Sequence, residues 1–289
     1  MDFLQLLEES RAAFTIFAGV LGLLVGSFLN VVIYRLPLML EREWTALARE
    51  QLGLQPVPAS PAFNLMYPHS SCPHCNHRIR AWENIPVLSY VFLRGKCSRC
   101  NSVIGARYPL VEIASGVLSA AIAFHLGFCL PTMALMVLTW GMLVLSMIDL
   151  DHQLLPDPLV MPLLWLGLLV NSLSGGEALV HAVVGAAAGY LSLFLIYWLF
   201  KLITGKEGLG GGDFKMLAMI GAWGGYGILP FTILISAALC VLVSGFLMAA
   251  RRASPDAPLS YGPYLAFAGW IALVWGEPLS VVLPQLISV

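Results

Sequence analysis

The stretch TMALMVLTWGMLVLSMIDL, residues 132–150, decides the fold. It carries one ionisable side chain, Asp149, next to its end. A bilayer span needs about 20 mostly apolar residues, so this run is read as a helix crossing a membrane. Working outward, the same pattern recurs at 14–34, 110–130, 159–173, 180–203, 214–229, 231–250 and 262–283. The chain is 59% hydrophobic and 11% charged, against about 25% charged in a soluble domain. The expected fold is an all-α polytopic membrane protein with about eight transmembrane helices. The formal net charge of −1 gives no electrostatic reason for a nucleic-acid partner; the lipid bilayer is the partner that composition demands.

The first run follows an acidic start (Asp2, Glu8, Glu9) and is not followed by a small-residue cleavage site, so it reads as a retained anchor. Between the first two runs lies a polar stretch, 35–109, with nine of the fifteen Lys and Arg. The resulting organisation is an N-terminal transmembrane helix (1–34), a small cytoplasmic loop domain (35–109) and a multi-span membrane domain (110–289). Basic residues collect on the cytoplasmic side. Alternating eight spans from an external N-terminus puts Lys201, Lys206, Lys215, Arg251 and Arg252 on that side with the loop, leaving Arg11 outside. The same alternation brings Asp149 and Asp213, 64 residues apart, to one edge of the membrane.

The loop holds CPHC and CSRC: Cys72, Cys75, Cys97 and Cys100. Two C-x-x-C pairs at this separation suit a four-thiolate zinc site, each pair giving one tight knuckle; disulfide or redox use and free thiols are the other readings, and a cytoplasmic address favours thiolates. A closed shell leaves no position for a reacting water, so the metal's role is structural. His69, His74 and His77 read as surface residues beside a complete shell. Cys129 and Cys240 fall in apolar runs and read as buried side chains. Gly22 with Gly26, and Gly185 with Gly189, are spaced for close helix packing.

Asp149 lies inside an apolar run and Asp213 ends the glycine run GLGGGD, residues 208–213. Ionisable groups inside spans are functional candidates by default. Two carboxylates in a partly dry site do not both ionise cheaply, which suits activation of water and protonation of a leaving amine. Asp151 and Asp157 read as solvated span ends. Gly210 and Gly212 lack side chains and let a substrate backbone approach Asp213. H-E-x-x-H and G-x-S-x-G are absent, and the glycine run fits neither a phosphate loop nor a dinucleotide fingerprint. Helix dipoles assign the proton to Asp149, at a helix C-terminus, and the charge to Asp213, at a helix N-terminus. Two other readings use the same residues: an ion- or proton-coupled transporter with a regulatory zinc loop, and a zinc-dependent scaffold whose aspartates cap helices.

GLGGGDFKMLAMIGAW resembles the G-x-G-D signature of membrane aspartyl proteases in the form found in bacterial type IV prepilin peptidases, with Gly210, Gly212 and Asp213 at its positions. IDLDHQLLPD is similar to that family's first catalytic stretch, with Asp149 at the catalytic position. GSFLNVVIYRLP, the paired C-x-x-C loop, ENIPVLSY and RYPLVE resemble its other blocks, so the likeness covers nearly the whole chain. The resemblance implies a bacterial inner-membrane enzyme with a periplasmic N-terminus and a cytoplasmic-side active site. It implies cleavage of the basic leader of type IV prepilins and type II secretion pseudopilins after a glycine. It further implies methylation of the new N-terminal amine, usually of phenylalanine, from S-adenosylmethionine. No residue of this sequence is assigned to the S-adenosylmethionine site.

Overall fold

The computed structural model describes residues 3–55, 63–205, 210–250 and 260–276. Gly208, Lys206, Arg251 and Arg252 lie outside the described residues. The chain is helical: α1 (Phe3–Glu9), α2 (Arg11–Gln51), α3 (Leu88–Phe92), α4 (Arg107–Leu126), α5 (Leu130–His152), α6 (Asp157–Leu173), α7 (Gly176–Thr204), α8 (Gly211–Gly224), α9 (Leu229–Ala249) and α10 (Gly262–Trp275). Among the described residues, α2, α4, α5, α7 and α9 with its preceding turn are long and apolar enough to cross a membrane. Among the described residues α6 and α10 are shorter apolar helices, and the short α8 stands where the remaining segment, 214–229, was expected.

Two boundaries differ from the sequence reading. The first helix does not end at residue 34 but continues to Gln51. Pro37 lies inside it, where it removes one backbone donor and crowds the preceding turn without ending the helix. The following residues, LPLMLEREWTALAREQ, are mostly strong helix formers. At 41 residues α2 is roughly 60 Å long, twice the hydrocarbon thickness of about 30 Å. The run expected over 214–229 is helical only to Gly224. Gly225 adopts φ 70°, which ends the helix, and Pro230 sits in the first turn of α9. α8 therefore rises only about 21 Å and is buried along eleven of its fourteen residues.

The chain forms two compact units, Met1–Phe128 and Cys129–Val289. In the first, α2 packs along α4. A Cβ on Gly22 would lie 2.6 Å from the Ser115 carbonyl oxygen, and one on Gly26 would lie 2.7 Å from the Glu112 Cα. The Ser115 hydroxyl donates to the Gly22 carbonyl at 2.6 Å. In the second, α8 is enclosed by α6, α7 and α10. Gly185 and Gly221 meet backbone to backbone, and a Cβ on Gly189 would lie 2.6 Å from the Leu217 carbonyl oxygen. Both glycine pairs thus serve the close packing their spacing suggests. Asn171 of α6 fixes the far end of α8, its amide donating to the carbonyls of Ala222 and Trp223 at 3.1 Å.

Candidate active site

α5 runs past the apolar stretch to His152, so Asp149 occupies its last turn. Its side chain points inward, 5% exposed, whereas Asp151 is exposed. Two residues turn a helix by about 200°, which separates the faces of these neighbouring acids. Asp213 is the third residue of α8 and is 6% exposed. It closes the helix start reciprocally: the Gly210 N–H donates to Asp213 Oδ2 at 3.2 Å, and the Asp213 N–H donates to the Gly210 carbonyl at 3.2 Å.

The two aspartates lie close enough for the charge of Asp149 to act on Asp213. Leu155, in the turn between α5 and α6, joins their surroundings. A Cβ on Gly212 would lie 2.8 Å from Leu155 Cβ, and one on Gly262 would lie 3.3 Å from Leu155 Cδ2. Gly262 was not singled out from the sequence. Its N–H donates to Asp149 Oδ2 at 3.0 Å, and a Cβ there would lie 2.8 Å from the same oxygen. Ser260 adds a bond to the Asp149 carbonyl at 2.9 Å. The available sequence signal was Gly262–Pro263 opening an apolar run, since proline favours the first helical turn.

This geometry removes half of the dipole argument. Asp149 stands at the C-terminus of its own helix, yet its carboxylate accepts an N–H from the N-terminus of α10. Both acids therefore face a helix N-terminus, where free N–H groups favour negative charge, and helix ends no longer separate them. Tyr261 stands beside the pair, within the field of Asp213, its hydroxyl 2.6 Å from that of Ser236.

The glycines divide the work. The space beside Gly212 is filled by Leu155, whereas among the described residues a Cβ on Gly211 would meet nothing within 4 Å and one on Gly210 only Asp213 Oδ2 at 3.5 Å. Among the described residues the open side of this helix start is at Gly210 and Gly211. Asp157 lies exposed at the start of α6 and pairs with Lys215 Nζ at 2.7 and 2.8 Å.

In the first unit the four cysteine sulfurs all lie within 4.8 Å of one another. Cys72 and Cys100 are 3.7 Å apart, and Cys75 and Cys97 are 4.0 Å apart. A tetrahedral ion with 2.3 Å metal–sulfur bonds needs sulfurs about 3.8 Å apart. Disulfides need about 2.05 Å, so the arrangement fits a metal and not a pair of bridges. The two knuckles are built alike. Asn76 and Asn101, each following the second cysteine of its pair, adopt φ 54° and 56° and donate their N–H to the carbonyls of Cys72 and Cys97. Asparagine tolerates this left-handed conformation.

The thiols are already unequal. The His74 N–H, with the Ser102 hydroxyl and the Cys75 N–H, lowers the Cys72 thiol to about 5. At Cys75 the His77 N–H favours the thiolate, but desolvation and the other sulfurs outweigh it and raise the thiol to about 11. Bringing four thiolates together thus needs a cation. Glu83 ties the knuckles together, accepting from the Arg80 N–H, from Ser98 and from His77. The Arg80 N–H and the Ser98 hydroxyl hold its carboxyl below the usual range. His77 is therefore a partner of Glu83 and outside the sulfur cluster.

Polytopic apolar helices, a buried acid pair in one unit and a four-thiol module in the other are the features of a membrane-embedded chain with a candidate acid-pair active site. The description of the bacterial peptidase A24 N-terminal domain matches residues 20–126, and that of the type IV leader peptidase family matches residues 136–245. The chain is 56% identical over 280 residues to the prepilin leader peptidase/N-methyltransferase of Stutzerimonas stutzeri, covering 97% of each chain. It is 54% identical to the protein of that name from Pseudomonas aeruginosa, over 97% of each chain, and 54% identical to that of Pseudomonas putida, over 100% of each. No solved structure matches the chain. The chain belongs to the type IV leader peptidase family. It is a multi-pass inner-membrane enzyme, and the transporter reading is not favoured.

Proposed function

We propose that Asp149 and Asp213 carry out leader cleavage of prepilins, and that the same chain then methylates the new N-terminal amine. The observation that carries this reading is the meeting of the two aspartates, each bonded to a helix-start N–H, in one buried site. The pair shares a proton. The ionised partner accepts a proton from water as it attacks the scissile carbonyl. The protonated partner polarises that carbonyl, and a proton then passes to the leaving amine. Gly210 and Gly211 admit the extended substrate backbone, and Tyr261 borders the site.

Methyl transfer forms a bond from the new N-terminal nitrogen to the methyl carbon of S-adenosylmethionine, breaks the carbon–sulfur bond and releases the amine proton. Cys72, Cys75, Cys97 and Cys100 would hold a zinc ion, which would tie the two knuckles together and leave no open position for catalysis. Pseudopilins of type II secretion are substrates alongside type IV prepilins. The N-terminus is periplasmic and the acid pair faces the cytoplasmic side, as the basic residues Lys201 and Lys215 at the ends of α7 and α8 support. The test is incubation of the detergent-solubilised protein with a prepilin and S-adenosylmethionine, followed by mass measurement. The expected products are first the leaderless chain and then a species heavier by one methyl group. An unchanged prepilin mass would end the reading.

A further inference from the structure

The segment between the two knuckles is the part of the first unit that the cysteine cluster does not explain. A 3₁₀ turn (Ala81–Asn84), the link after it and α3 expose Trp82, Ile85, Leu88, Val91 and Phe92 to between 45% and 80%. Free cytoplasmic loops rarely present so many large apolar side chains together. The same segment is tied to the membrane helices. Ser27 of α2 meets Asn84 at 3.4 Å, and the Val87 N–H donates to Glu112 of α4 at 2.8 Å. Asn30 donates to the Tyr108 carbonyl at 3.1 Å, which fixes the level of α2 against α4. Ser27 lies about one turn further into the apolar run than Asn30. The loop therefore reaches below the ends of the two spans. Val87, at φ 60°, is the centre of a tight turn in which the Leu88 N–H donates to the Pro86 carbonyl, and this turn leaves the Val87 N–H free to bond Glu112.

The neighbours of the two anchors face outward as well: Phe28 beside Ser27 and Ile113 beside Glu112 are both exposed. The apolar face of the loop thus continues the lipid-facing surface of α2 and α4. Arg80, Arg94 and Lys96 flank it in the sequence, as suits cations reaching anionic headgroups above inserted apolar side chains. We propose that residues 82–92 are seated in the bilayer interface, with Trp82, Leu88, Val91 and Phe92 in lipid. The four-cysteine module is then a membrane-docked unit and not a domain free in the cytoplasm.

The experiment reconstitutes the full-length chain in vesicles of phosphatidylethanolamine and phosphatidylglycerol. A photoreactive benzoylphenylalanine replaces, one at a time, Phe92, Leu88, Phe28 or Trp44. Phe28 is the lipid-facing control. Trp44 is exposed on α2, seventeen residues and about 25 Å beyond Ser27. After illumination, phospholipid-mass adducts are expected at 92, 88 and 28 and not at 44. Adducts at 28 alone overturn the proposal, as does crosslinking of position 92 to a second copy of the chain. Retained zinc content identifies folded variants. On the unaltered protein, a bilayer-soluble carbene reagent should label the peptide spanning 88–92. Labelling of α2 without that peptide would equally overturn it.

Discussion

The two units hold their chemistry in opposite ways. In Met1–Phe128 the cluster is built from local pieces: two knuckles, each closed within five residues by an asparagine in the left-handed region. In Cys129–Val289 a local closure holds Asp213 against Gly210, but no local piece brings the acids together. Asp149, Asp213 and Gly262 come from the end of one helix and the starts of two others, 64 and 49 residues apart. They meet only because helices of suitable length are packed in register. A site of the first kind can lose its ligand and leave the neighbouring helices in place. A site of the second kind fails when a single helix moves.

The largest expected effect falls on the assembled site. Asp149→Asn and Asp213→Asn should each lower leader cleavage by at least about 10²-fold, the lower end of what acid–base groups supply, while Asp151→Asn stays near the unaltered rate. Mass measurement of a prepilin reports this. A well-inserted Asp149→Asn variant that cleaves normally would remove that residue from the mechanism.

The next effect falls on the local site. The purified chain should carry about one zinc, and Cys72→Ser or Cys97→Ser should remove it. Residues 63–106 should then become protease-sensitive while leader cleavage survives. Loss of cleavage in parallel with zinc would break the contrast drawn between the units, and metal-free protein prepared under reducing conditions without chelator would refute the zinc assignment.

Gly262→Ala sharpens the contrast further. A methyl group 2.8 Å from Asp149 Oδ2 must displace the carboxylate, and misplacement of about 1 Å costs roughly 10²-fold in rate. Expected is a large fall in cleavage with zinc content unchanged. A variant with unaltered kinetics would show that the Gly262 N–H does not position Asp149.

A packing change should act more weakly on rate and more on stability. Gly221→Ala forces α7 and α8 apart where Gly185 and Gly221 meet backbone to backbone. Overpacking of this kind costs about 1–3 kcal/mol, visible as a lower thermal midpoint in detergent. An unchanged midpoint would mean the helices can shift freely there. The smallest effect belongs to Lys215→Ala. Its pairing with Asp157 is partly exposed, and such pairs contribute about 0–1 kcal/mol. Cleavage should stay within about twofold of the unaltered enzyme on that basis; a severe loss would give Lys215 a role in the site.

Much of this is legible in the sequence alone. The cysteine spacing named all four sulfur residues, because a knuckle is a short-range object whose geometry follows from two residues between ligands. Asp149 and Asp213 stood out because carboxylates are expensive inside apolar runs. Gly262 did not stand out. A glycine before a proline at the start of an apolar run is ordinary helix grammar, and only packing shows that its N–H ends on a carboxylate. Leu155 was hidden for a similar reason, since one leucine among many carries no mark of the two glycines it fills against. The unbroken course of α2 past residue 34 was missed because polarity was read as the end of the helix, whereas polarity ends only the membrane-facing part.

The sequence by itself determined that the chain is membrane-embedded, which residues are the candidates for its chemistry, and which of its two candidate sites is local. Those properties follow from composition, side-chain type and short spacing, none of which needs the chain to be folded. Tertiary structure alone decided that Asp149 accepts a hydrogen bond from the start of α10, that α8 is a short buried helix, and that the loop between the knuckles reaches down beside Ser27 and Glu112. Each of these depends on how far one helix slides and turns against another. That is fixed by close backbone contacts at Gly22, Gly185, Gly189 and Gly221, and the energy of those contacts exists only once the helices have met.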